Sequence, residues 1–116
     1  MIEKKVEIDG REFTFRSSAL IPKLYRAKFG RDMVTDMRQL ADAYKNAPEG
    51  GMEVFSLEIF ERAAWIMLKH AGEDVGEDPD EWLLSLDGPF SVYAILPTIL
   101  ELWNHNNATT SIQKKE

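Results

Sequence analysis

Val6-Glu7-Ile8-Asp9-Gly10-Arg11-Glu12-Phe13-Thr14-Phe15 is the stretch that decides the fold class. Val6 and Ile8 alternate with charged residues, as do Phe13 and Phe15 with Glu12 and Thr14. Asp-Gly between two such runs predicts a two-residue hairpin, because both turn positions need positive φ. That register sets Val6 opposite Phe13 and Ile8 opposite Arg11, so Val6, Ile8, Phe13 and Phe15 share one face. A lone hairpin is marginal in water, so the strands over 4–16 need a helix to pack on.

Working outward, the rest of the chain reads as helical. Ser17 and Ser18 are N-cap candidates for a helix over about 19–29, with Pro22 in its first turn and Gly30 as a left-handed stop. Met33, Met37, Leu40 and Tyr44 recur at spacings of four, three and four and predict a helix over about 32–45. Pro48, Gly50 and Gly51 mark a loop. A helix over about 55–71 follows, with a buried stripe of Ile59, Phe60, Ala63, Ile66, Met67 and His70, and Gly72 as its stop. Asp78-Pro79 reads as an N-cap and first helical residue of a short helix, 79–86. A last helix over 90–104 carries Val92, Tyr93, Leu96, Ile99, Leu100 and Trp103 on one face, widened by Ile95 and Leu102, with a bend expected near Tyr93 from Pro97. The expected fold is α+β and mainly α: an N-terminal hairpin packed on about five helices, one globular domain over 1–104, and a flexible tail over 105–116.

Composition narrows the function classes. The 116 residues fit one core, and a 44% hydrophobic fraction favours folding over disorder. With no cysteine, disulfides, thiol nucleophiles and thiolate-bound zinc are excluded. Asp and Glu outnumber Lys and Arg by 20 to 14, giving net charge -6, and no basic stripe is evident, which disfavours nucleic acid and anionic membrane surfaces as partners. No stretch approaches the roughly 20 apolar residues of a bilayer span, and the N-terminus lacks the apolar run of a signal peptide, so a cytoplasmic protein is expected.

The search for chemistry finds little. His70 and His105 sit in no metal or general-base motif, and His70 reads as a boundary residue near a helix C-terminus, where positive charge is favourable. The acidic run Glu73 to Glu81 misses the calcium-loop spacing, and Pro79 starts a helix where ligands should continue. Ser17 and Ser18 have no histidine nearby in sequence and read as caps. No phosphate-binding glycine loop or nucleophile elbow is present, so neither enzymatic activity nor a cofactor or metal is expected. Apolar surface remains. Trp65 falls on the otherwise polar stripe of Glu58, Arg62 and Lys69, where either another element covers it or it stands as an exposed anchor. Ile95 and Leu102 pose the same choice between core and partner. The five methionines read as packing.

Three segments carry a resemblance: the hairpin leading into Ser17-Ser18-Ala19-Leu20-Ile21-Pro22-Lys23-Leu24-Tyr25-Arg26-Ala27-Lys28-Phe29-Gly30-Arg31-Asp32, the helical stretch Phe60 to Ala71, and the ending from Trp82-Leu83 through Ile95-Leu96-Pro97 to Leu102-Trp103-Asn104. Together they resemble the tail assembly chaperone family of long-tailed bacteriophages and prophages of Gram-positive hosts. The resemblance implies binding of the tape measure protein, the long helical chain that sets tail length, until tail tube protein polymerises around it. It also implies absence from the mature virion and a frameshifted longer form, with which the Lys114-Lys115 pair is compatible. The family pattern assigns no gripping side chains. Helical position alone nominates Trp65, Ile95, Leu102 and Trp103, the last lying in the core-facing row. Two other readings compete: a structural tail-completion or head–tail joining protein, and a small acidic regulatory protein that neutralises a basic partner. Homo-oligomerisation is left open.

Overall fold

The computed structural model describes residues 1–46, 54–88 and 91–104. The loop glycines Gly50 and Gly51, the breaker Pro89, the expected helix start Phe90, His105 and the 105–116 tail lie outside the described residues. Strands β1 (Ile2–Ile8) and β2 (Arg11–Ser17) pair antiparallel with Val6 opposite Phe13 and Ile8 opposite Arg11, the register the turn dictates. Asp9 and Gly10 both have positive φ, 53° and 78°. Ile8, Phe13 and Phe15 are buried and Val6 is half-buried, so the alternating face does turn inward.

Among the described residues five helices follow: α1 (Ile21–Phe29), α2 (Met33–Asn46), α3 (Val54–His70), α4 (Pro79–Leu84) and α5 over 96–104, the last entered through a 3-10 turn at Ser91–Ile95. The fold is α+β, mainly α, and its buried side chains form one connected cluster. At its centre lies α3. All six residues from Ala63 to Leu68 are buried, more than the expected stripe, because β2, α1, α2 and α4 all pack on this helix. Phe13 meets Trp82 of α4 edge to face at 6.1 Å between ring centres, and the Asp9 carboxylate accepts the N–H groups of Asp87 and Gly88. Hairpin, α4 and the chain beyond it are therefore tied together.

Three local expectations are corrected. Neither serine caps α1 directly: Leu20 is the N-cap with no side-chain bond, and Ser18 instead closes the preceding turn, its Oγ accepting from Leu20 N–H. Pro97 does not bend a continuous helix near Tyr93. The chain runs as 3-10 up to Ile95, and Pro97 is the second residue of α5, where its missing N–H would have had no intrahelical partner. Tyr44, expected on the buried face of α2, is 46% exposed, and a polar residue, Asp36, is buried beside Met33 and Met37.

Asp36 has a clear physical role. Arg31 grips its carboxylate with Nε at 2.7 Å and Nη2 at 2.9 Å, and the Tyr25 hydroxyl donates to it at 2.7 Å. Burial alone would raise the Asp36 carboxyl, but these hydrogen bonds and the charges of Arg31 and Arg62 outweigh it and hold it below the ordinary 3.8. Burial, then the Asp36 bond, push Tyr25 well above its ordinary value, so it remains a hydroxyl donor. The clamp fixes α1 to α2 across the Gly30 turn.

Tyr25→Phe removes one hydrogen bond to a buried charge and is expected to cost about 1.5–3 kcal/mol, read as a lower urea midpoint at unchanged slope. Because the Asp36 carboxyl is held below its unfolded value, its contribution is complete above about pH 3.8 and is lost as pH falls through the lowered folded value. Asp36→Asn should flatten that acid-side loss.

Candidate functional site

Helix α1 is nine residues long and too short to cover the whole flank of α3. Its Leu20, Leu24 and Ala27 follow one another at helical spacing, and with Trp65, Ile66, Lys69 and His70 of α3 they line an open groove of about 560 Å³. Lys28 and Glu77 complete its rim. Leu20 is 47% exposed, so an apolar side chain faces solvent at one end of the groove.

Trp65 forms the floor. Its indole N–H donates to Val75 carbonyl oxygen at 3.2 Å, and Phe29 meets its ring edge to face at 6.0 Å. Two ammonium groups lie over the ring, Lys28 at 5.2 Å and Lys69 at 5.8 Å from its centre. Trp65 is thereby only 2% exposed: other elements, the loop after α3 together with α1, cover it. Trp65 is therefore not exposed in the free chain, and the three other nominated residues are buried as well. Ile95, Leu102 and Trp103 are 6%, 3% and 8% exposed, because the wide apolar arc of the last helix and its 3-10 entry is used by the core.

Beside the groove, Ser18 Oγ and His70 Nε2 are 2.8 Å apart, although 52 residues separate them in sequence. Such a pair is the beginning of a nucleophilic site. Here Ser18 Oγ already accepts from Leu20 N–H, and among the described residues no carboxylate hydrogen-bonds His70 to orient it. Arg16 Nη1 donates to the His70 carbonyl oxygen at 3.2 Å. Burial, then the Arg16 charge, hold the imidazole below its ordinary value. The α3 C-terminus thus has Arg16 beside its last carbonyl in addition to Lys69 of its own last turn, and the Ser18–His70 contact works as a tether between the β2–α1 link and α3.

The acidic run has structural uses. Glu73 accepts the Thr14 N–H at the edge of β2, at 2.6 Å. Asp78 caps α4 by accepting Glu81 N–H, and Glu81 accepts Glu77 N–H, each at 2.9 Å. A second, polar hollow of about 270 Å³ lies between Glu58, Glu61, Arg62, Asp78 and Asp80. Burial pushes the Glu61 carboxyl up against a lowering bond from Tyr93, whose hydroxyl is itself raised to about 12 by burial and by Glu61. Among the described residues no three His, Asp or Glu side chains converge as metal ligands, and no helix is long and apolar enough to cross a membrane.

Sequence reading missed the groove, and a signal for it exists. Residues 13–31 hold Arg16, Lys23, Arg26, Lys28 and Arg31 and no Asp or Glu, so a basic segment lies within an acidic chain. No protein-family model matches the chain, and no curated protein or solved structure is significantly similar to it.

The His70 contact is testable by proton NMR. Its titration midpoint should lie below 6.5 and rise in Arg16→Met, which removes the adjacent charge. Since the folded value is lowered, the associated stability is complete above about pH 6.5 and declines as pH falls through the folded midpoint.

Proposed function

We propose that this chain is a non-catalytic protein-binding domain: a tail assembly chaperone of a long-tailed phage or prophage that holds the tape measure protein soluble in the host cytoplasm until tail tube subunits polymerise. The observation that supports it best is the open groove between α1 and α3, lined by Leu20, Leu24, Ala27 and Ile66 with Trp65 at its floor. Two neighbouring helices with an apolar trough are the geometry that receives an amphipathic helix. A tape measure protein presents such helices before assembly, and transient cover of their apolar stripes opposes aggregation. The resemblance of residues 6–32, 60–71 and 82–104 to the chaperone family supplies the identity of the client.

The acidic regulator reading draws on the segment 73–87, which holds seven carboxylates and no basic residue. Glu73, Asp78 and Glu81 are engaged in turn, edge and cap bonds, which weakens it as a free docking face. A frameshifted longer form belongs to the same proposal and would show as a slippery heptamer near the Lys114-Lys115 codons.

Co-expression tests the reading. The tape measure protein should move from the pellet to the soluble fraction and co-purify with this chain, and mass spectrometry of purified particles should find the chain missing. A client equally insoluble with and without it would sink the proposal.

A further inference from the structure

We infer that the groove between α1 and α3 selects an amphipathic helix whose apolar stripe is flanked by carboxylates, and that Lys28 and Lys69 turn from the Trp65 ring to those carboxylates when it binds. The inference rests on the chaperone reading for the guest being a client helix, and goes beyond it in stating the chemistry of that helix.

Leu20, Leu24 and Ala27 repeat at spacings of four and three, the interval at which a guest helix presents its own apolar side chains. The rim is basic. Lys28 and Lys69 stand at the groove, and helical spacing puts exposed Lys23 beside Leu20 and Ala27. Glu77 is a rim carboxylate, and its backbone oxygen already holds the Lys28 ammonium at 2.6 Å. In a chain of net charge -6 this local reversal favours an acidic guest and disfavours a basic one. On the groove side the Trp65 ring is covered by the Lys28 and Lys69 side chains, the first also bonded to the Glu77 carbonyl. Withdrawing them uncovers an indole face, the surface type that most often anchors a partner.

A second copy of this chain is the competing guest, since α4 carries Leu84, 85% exposed, next to Asp80 and Glu81. Its Trp82 is buried and Leu83 half-buried, so α4 offers one leucine. One buried leucine does not offset the freedom a whole molecule loses on docking. A client helix offers three or more.

The test uses the isotope-labelled full chain and two blocked peptides of about 18 residues, long enough to be helical. Both carry the same leucine stripe, one flanked by Glu and the other by Lys. The Glu peptide should shift amides of α1 and of residues 65–70, bind at least about tenfold more tightly than the Lys peptide, and weaken with salt. Lys28→Glu with Lys69→Glu, both changes at exposed positions, should invert the preference, and that inversion is a readout that misfolding cannot produce. Equal binding of the two peptides, shifts mapping elsewhere, or a preference unmoved by charge reversal would overturn the inference. So would a concentration-dependent dimer broken by Leu84→Glu. A client solubilised on co-expression while the peptides bind indifferently removes this inference and leaves the chaperone reading. Selective peptide binding with an insoluble client does the reverse.

Discussion

Everything in this fold depends on covering α3. Six consecutive residues from Ala63 to Leu68 are buried, so the helix has no solvent-facing side over that stretch. A helix that is apolar all round is stable only when surrounded. Each large side chain buried there contributes roughly 1.5–3 kcal/mol. The hairpin supplies one wall, and in turn α3 supplies the support that two strands lack on their own. Helices α1, α2 and α4 supply the others. Because the coverings are short, they need ties between them. Asp9 to the Asp87–Gly88 backbone, Glu73 to Thr14, and Arg16 to the His70 carbonyl perform that function.

The covering also sorts charge. The segment that wraps α3 on one side, 13–31, is wholly basic in its charged residues, and the segment that wraps it on another, 73–87, is wholly acidic. They meet where Lys28 reaches the Glu77 carbonyl and the Thr14 N–H reaches the Glu73 carboxylate. Asp36, just beyond the basic segment, holds it in place by accepting from both Tyr25 and Arg31. Because that clamp joins α1 to α2 through buried groups, α1 is a firm wall of the groove, and a firm wall favours binding by lowering the ordering cost.

Elements whose signal is local were legible in the sequence. The hairpin register followed from Asp9-Gly10, where the backbone demands positive φ twice, and the α4 start followed from Asp78-Pro79. Helix faces set by periodicity were also legible, although the pattern understated α3, since periodicity marks one contact face and α3 has several. What depends on two distant segments meeting was not legible. Ser18 and His70 touch only because β2 and α3 pack together, and the groove exists only because α1 stops short of covering its neighbour. With Leu20 as the cap of α1, Pro22 falls at the second helical position, where its missing N–H would have had no intrahelical partner.

The four apolar residues nominated from helical position differ in what buries them, and that difference matters more than their common lack of exposure. Leu102 and Trp103 belong to the connected core with Ile95, so freeing them would unpack the chain. Trp65 has a mixed cover. One edge is fixed by Phe29 and by the bond to Val75, while two lysine side chains lie over its ring beside an open groove. Cation–π contacts of this kind are worth about 0.5–1 kcal/mol at exposed sites. Exchanging them for a carboxylate on a partner would also take Lys28 from the Glu77 carbonyl, but would leave the Phe29 contact and the Val75 bond beneath in place. A tryptophan held in place from below and covered from above by lysine side chains can be buried in the free chain and still become a binding surface.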